Sequence, residues 1–136
     1  MAIDIVVTQS FACEPEIVLN TLSEHQHLDR FFNASFTVLP SHAHYTRRQV
    51  SMLGYRFIER VEQVDPFTLN YHIEGDGPVN HHCASINVTP SETGCLLVYS
   101  IHCQAKWWQP SWLLQAIIRH DLTQALHKLK ELCDAC

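Results

Sequence analysis

The chain has 136 residues, 46% of them hydrophobic, with no Gly/Ser-rich or Pro-rich tract, no internal repeat and no linker; this fits one compact domain that buries roughly two thirds of its unfolded surface and needs neither disulfide nor metal to fold. A formal net charge of −5, with the nine Lys and Arg residues scattered, offers no basic stripe to phosphates or anionic headgroups, so no nucleic-acid partner is expected. The opening MAIDIVVTQSF lacks a basic n-region, and no apolar run approaches the roughly 18 residues of a membrane span; the expected location is cytoplasmic, with the six cysteines reduced.

In chain order, residues 3–13 alternate Ile3, Ile5, Val7 and Phe11 against Asp4, Thr8 and Ser10, the period of a half-buried strand. Pro15 ends it and suits a helical first turn, so Pro15-Glu16 followed by Ile17, Val18, Leu19 and Leu22 predicts a short helix. Ser23 with Gln26 three residues later resembles a capping box, opening a second short helix through Leu28, Phe31 and Phe32. From residue 34 the period of two returns in runs near 34–40, 45–53, 55–64, 67–74, 81–89 and 95–105. The breaks carry turn chemistry at Gly54-Tyr55, Asp65-Pro66, Gly75-Asp76-Gly77-Pro78 and Pro90-Ser91-Glu92-Thr93-Gly94. Such short connections make neighbouring strands antiparallel, because a parallel return needs a crossover of about a dozen residues. From Pro110 to about Cys133 nothing breaks a helix, and Leu114, Ile118, Leu122, Ala125, Leu129 and Leu132 recur at three- and four-residue steps. In its first two turns Trp112, Leu113, Ala116 and Ile117 add apolar surface on other sides.

The segments VTQSFACEPEIVLNTLSEHQHLDRFF, INVTPSETGCLLVYS and HDLTQALHKLKELCDA, in this order of elements, resemble the polyketide cyclase/dehydratase and lipid-transport group of the START-like (SRPBCC, Bet v 1-like) superfamily over nearly the whole chain. The resemblance implies an α+β helix-grip fold, residues 1–136 forming a single START-like domain. A curved antiparallel sheet of about seven strands would wrap around the long C-terminal helix, with two short helices after the first strand and a cavity for an apolar or amphipathic ligand between sheet and helix. One departure is visible: many relatives carry a tryptophan in the helical elbow, where this chain has Leu19 and the pair Phe31-Phe32.

Within that fold, taking the more apolar parity of each strand as inward selects Phe36, Val38, Tyr55, Phe57, Val61, Phe67, Leu69, Tyr71, Ile73, His82, Ala84, Ile86, Val88, Leu97, Tyr99 and Ile101. Glu59 shares this parity, and Arg48 joins if Val50 and Met52 point inward. The expected ligand-lining set is Arg48, Phe57, Glu59, Leu69, Tyr71, His82, Ile86 and Tyr99 from the sheet, with Trp112, Ala116 and Ile117 from the helix. A charge facing an apolar space costs several kcal/mol unless paired, as an order of magnitude. Arg48 and Glu59 therefore pair with each other, hold a ligand's polar end, or lie in water if the register is off by one. Tyr71 and Tyr99 either orient a ligand or bond backbone carbonyls.

His82 stands in NHHCAS beside His81 and Cys83; with Tyr71 or Glu59 it has the chemistry of a general acid or base, and a plain core or surface histidine is the alternative. The pairs His25/His27, His42/His44, His81-His82-Cys83 and Cys133/Cys136 each offer possible metal ligands, but none meets a second half at finger-like spacing, so no metal and no cofactor are expected. The three tryptophans, Trp107, Trp108 and Trp112, would each gain about 2–3 kcal/mol by burial. They are expected to form a hydrophobic gate, Trp112 inward and at least one of the others at the rim, with core filling, a homodimer patch or a membrane surface as alternatives. The function expected is a carrier or sensor of a small hydrophobic molecule; a cyclase- or dehydratase-like enzyme in the same cavity is the alternative, since one fold hosts both.

Overall fold

The computed structural model describes residues 2–40, 44–52 and 54–135. The first strand, β1 (Ala2–Phe11), follows its alternation: Ile3, Ile5 and Phe11 are buried while Asp4 and Thr8 face solvent. Pro15 occupies the first turn of α1 (Pro15–Leu22), which buries Val18, Leu19 and Leu22. Here the capping-box expectation fails. Ser23 closes α1 through its own N–H, which donates to the carbonyl of Leu19 at 2.9 Å, and residues His25–Arg30 wind as a short 3-10 helix with no side-chain cap. With the Ser23 backbone already committed to ending one helix, its side chain does not start the next.

Six further strands follow: β2 (Ser35–Val38), β3 (Thr46–Met52), β4 (Tyr55–Asp65), β5 (Thr68–Glu74), β6 (Asn80–Ser91) and β7 (Gly94–Gln104). All pair antiparallel in the order β1-β7-β6-β5-β4-β3-β2. β1 thus returns to pair with β7, from Ala2 opposite Gln104 to Phe11 opposite Cys95. Gly94 is required at that junction: it sits at φ +148°, and a Cβ there would drive into the backbone of Phe11 and Ala12. Phe67, expected to point inward, is exposed. Its N–H donates to Asp65 Oδ1 at 2.8 Å in the β4–β5 turn, so β5 begins only at Thr68.

The long helix α2 (Ser111–Asp134) lies along β1 and completes the helix-grip arrangement. Its two halves are held differently. Leu122, Ala125, Leu126, Leu129 and Cys133 are buried, each large apolar side chain contributing about 1.5–3 kcal/mol. Beyond them Lys130 Nζ donates to the Ser10 carbonyl and to Asp134 Oδ2, both at 2.8 Å, and Asp134 Oδ1 accepts from the Ala12 N–H at 3.0 Å. In the first half nothing is fully buried; Leu114 and Ile118 are half-buried. No described helix is long and apolar enough to cross a membrane.

Candidate functional site

Beneath the first half of α2 the sheet and helix part around a cavity of about 140 Å³. Phe57, Glu59, Tyr71, Ile73, His82, Tyr99, Ile101 and Cys103 form its sheet side, Leu114, Ile117, Ile118, Asp121 and Leu122 its helix side, and Phe32, Met52 and Val79 its ends. Ile117 and Asp121 are also exposed, so the cavity opens beside them. A second void, of about 10 Å³, lies toward the helical elbow and is lined by Leu22, Leu28, Phe32, Arg48, Val61, Leu69, Tyr71, Ile86 and Tyr99. That is roughly the room one water occupies. Tyr71, Tyr99 and Phe32 belong to both linings and so form the wall between them.

This division corrects the expectation of a single hollow. Arg48, Leu69 and Ile86 point inward but face the small void, whereas Phe57, Glu59, Tyr71, His82, Tyr99 and Ile117 line the larger cavity. Trp112 and Ala116 lie outside it and are exposed. Each is two positions from Leu114, about 200° around the helix and so on its opposite side. The gate with Trp112 turned inward does not form: Trp107, Trp108 and Trp112 are 96%, 54% and 74% exposed. The expected ligand-lining set missed Phe32, Met52, Ile73, Val79, Ile101, Cys103, Leu114, Ile118, Asp121 and Leu122. Cys103 shares the parity of Tyr99 and Ile101, and Asp121 the helical face of Leu114 and Ile118, so the signal for both was present.

The polar groups are organised by strand register. Arg48 on β3 stands directly opposite Glu59 on β4, both nearly fully buried. Arg48 Nε and Nη2 donate to Glu59 Oε1 at 2.8 and 2.7 Å. The Nη1 of Arg48 donates to Nδ1 of His25 at 3.0 Å, since an arginine has no lone pair to accept with. His25 therefore carries its proton on Nε2, and burial together with the adjacent guanidinium lowers its pKa to about 4. The guanidinium also lies 5.3 Å from the Phe36 ring centre and 5.2 Å from that of Tyr71. Burial pushes the Glu59 carboxyl up, opposed by Arg48. The sequence raised His25 only with His27 as a possible metal pair; its contact with Arg48 depends on where the 3-10 helix sets it.

Tyr71 on β5 and Tyr99 on β7 join hydroxyl to hydroxyl across the intervening β6, their rings near perpendicular. Burial raises the pKa of both. His82 lies 5.4 Å, ring centre to ring centre, from Tyr71. It sits at a bulge, since the β6–β7 register shifts between Asn80 and Cys83 and His81 adopts φ 50°, a left-handed conformation that costs on the order of 1 kcal/mol outside glycine. Such bulges re-aim side chains. Nδ1 of His82 is buried and has no hydrogen-bond partner among the described residues. Burial, with a smaller contribution from His72, lowers its pKa to about 4.

Outside the cavity, a shallow depression of about 490 Å³ on the other face of the sheet is lined by outward polar groups including Asp4, His72 and His102. Among the described residues no group of three or more His, Cys, Asp and Glu gathers to hold a metal; His42 and Cys136, members of two of the sequence pairs, lie outside the described residues.

Residues 2–134 match the family model described as "Polyketide cyclase / dehydrase and lipid transport". The chain belongs to this family. No curated protein sequence matches it. Among solved structures it is similar to the di-domain ARO/CYC StfQ from the steffimycin biosynthetic pathway, with TM-score 0.78 and 10% identity over 99% of this chain and 50% of that one. The chain thus spans about half the length of StfQ. It is also similar to XoxI from Bacillus cereus, with TM-score 0.73 and 14% identity over 96% of this chain and 94% of that one. An uncharacterized protein from Bacillus thuringiensis gives TM-score 0.75 and 16% identity over 96% of this chain and 98% of that one. At such identities the likeness of this family member to those structures is one of fold.

Proposed function

We propose that the protein binds a small hydrophobic or amphipathic molecule in the cavity between the sheet and the first half of α2, as a carrier or sensor. The observation that carries this reading is the cavity itself: about 140 Å³, mostly apolar walls, and a few convergent polar atoms from Tyr71, Tyr99, His82 and Glu59. Apolar space with a small number of placed polar groups is the ordinary make-up of a ligand site. Membership of a family whose description joins cyclases with lipid transport supports it.

An enzyme of the cyclase or dehydratase kind is the second reading, favoured by the ionisable side chains Glu59, Tyr71, His82 and Tyr99, with Cys103 and Asp121, on one cavity. Their protonation argues for binding instead. General acid–base catalysis works best with a group that titrates near the working pH, whereas His82 and the two tyrosines are pushed away from neutrality in opposite directions and Glu59 is held by Arg48. Native mass spectrometry of protein purified from its own host is the direct test. A co-purified small apolar molecule, displaced by excess of the same compound and lost in an Ile117→Arg variant that blocks the cavity, is the expected result. Wholly ligand-free protein that also binds no apolar probe in solution contradicts the proposal.

A further inference from the structure

The chain's three tryptophans stand together, and the fold leaves them mostly in water. We propose that the turn before α2 and the outer side of the first two turns of α2 dock on the surface of a phospholipid bilayer, with the rings of Trp107, Trp108 and Trp112 lying among the headgroups. Leu113 and Ile117, beside them, are exposed as well. The patch is contiguous: Trp107 and Trp112 line one shallow depression of about 370 Å³, and Leu113 and Ile117 follow at the four-residue spacing that places side chains on one side of a helix. It is also held in place. In the turn, Gln109 Oε1 accepts from the Lys106 N–H at 2.7 Å and its Nε2 donates to the Pro78 carbonyl at 2.8 Å, so the rings stand on an anchored turn.

Charge and shape name the occupant. All 14 acidic residues of this chain of net charge −5 lie outside the stretch Ala105–His120, whereas Lys106 and Arg119 lie within it. Lys106 lines the same depression as the two rings, where its ammonium can meet a headgroup phosphate. Tryptophan, with an apolar ring and one N–H donor, prefers the zone between acyl chains and water, and an apolar face bordered by cations is the make-up of a segment that lies on a membrane. A second copy of the chain fits less well. Along α2 the exposed apolar positions run from Trp112 to Ile117, about 140° around the axis, and continue into the preceding turn, so a rigid twofold partner would touch only part of so rounded a surface. At their observed exposures the three rings offer roughly 350–550 Å², against the roughly 800 Å² that each partner of a stable dimer buries. A fluid headgroup layer closes around all of it. Further along α2 the outer positions turn polar, at Thr123, Gln124, His127, Lys128 and Glu131, which confines the contact to one end of the molecule. Ile117 belongs both to the patch and to the cavity lining, so the cavity opens at the docking face.

Because the chain has no other tryptophan, its whole indole emission reports on this patch. The test titrates the full chain with vesicles of phosphatidylcholine and phosphatidylglycerol, four to one, using acyl chains brominated near the headgroup as quencher and co-sedimentation as a second readout. The emission is expected to shift to the blue, to be quenched by the brominated lipid, and the protein to sediment with the vesicles. Trp107→Ser/Trp112→Ser, at exposed sites that leave the core untouched, is expected to lower vesicle partitioning at least tenfold, and Lys106→Glu at least threefold. Val64→Ser, which removes an exposed apolar side chain from β4, leaves it unchanged. Unshifted emission at millimolar lipid, a Trp107→Ser/Trp112→Ser protein that sediments like wild type, or an equal loss in Val64→Ser overturns the inference. A blue shift that follows protein concentration without vesicles, accompanied by a dimer in sedimentation velocity and no response to lipid, assigns the patch to a second copy and overturns it as well. The docking does not rest on the ligand site: vesicle binding by protein that takes up no apolar probe leaves it standing while the carrier function falls, and probe uptake without vesicle binding does the reverse.

Discussion

Arg48 and Glu59 show how a charge survives inside an apolar shell. Each strand supplies one member at directly opposed positions, so the pair forms as soon as the register does, and two aromatic rings and His25 cover the remaining face of the guanidinium. Attraction between buried ions repays their desolvation only with such geometry, and stranding one partner costs about 3–5 kcal/mol where replacing both by apolar groups is often neutral. Arg48→Met and Glu59→Leu should therefore each lower unfolding free energy by about 3 kcal/mol, while the double variant Arg48→Met/Glu59→Leu stays within about 1 kcal/mol of wild type. Urea denaturation of the four proteins in the cycle measures this, and equal losses in single and double variants would contradict it. At this scale the sequence was half legible. Parity put Arg48, Glu59, Tyr71, His82 and Tyr99 inward, as found, but parity holds no information on which inward group touches which, and so hid the hydroxyl bond by which Tyr71 and Tyr99 divide the interior.

Among the elements, α2 carries the main contrast. Its second half is sealed by buried side chains, by the Lys130 bond to β1 and by the Asp134 bond to Ala12 just beyond it, while its first half lies over the cavity with nothing fully buried and Leu114 and Ile118 its half-buried apolar side chains. Amides of residues 111–120 should exchange with solvent at least tenfold faster than those of 122–133, and ligand should slow the first group selectively, because local opening follows the density of buried contacts. Uniform protection along the helix would refute that. The helix was legible from periodicity to within a residue at each end, and the strand runs from their turns. The tryptophans were misread because burial energy was weighed without direction: Trp112 lies off the stripe of Leu114 and Ile118, and Trp107 and Trp108 fall in the turn before α2, so a large gain from burial existed with no surface to collect it.

For the molecule as a whole, the half-buried His25 and His82 set an acid limit. His25 and His82 have folded pKa values of about 4 against an unfolded 6.5. Between those values the unfolded chain takes up protons that the folded chain refuses, so their contribution is present above about pH 6.5 and is lost as pH falls toward 4. His82 supplies a slope of up to about 1.4 kcal/mol per pH unit, and the half-buried His25 a smaller one. Glu59, with its raised folded pKa, acts in the opposite sense, favouring the fold at low pH and losing that contribution as pH rises. Unfolding midpoints measured from pH 4 to 7 should rise with pH and flatten in His25→Gln/His82→Gln; an unchanged slope in the double variant would assign the acid limit elsewhere.

The pairing of β1 with β7 sets the order in which this molecule can be finished. Strands β2 to β7 can zip hairpin by hairpin as they emerge, but β1 waits for a partner that is synthesised last among the strands, and Ala12 for Asp134, 122 positions further on. Until then the first strand is an unsatisfied edge looking for any other to adhere to. Refolding is accordingly expected on the millisecond-to-second scale of long-range sheets, with self-adhesion of half-made chains as its principal hazard.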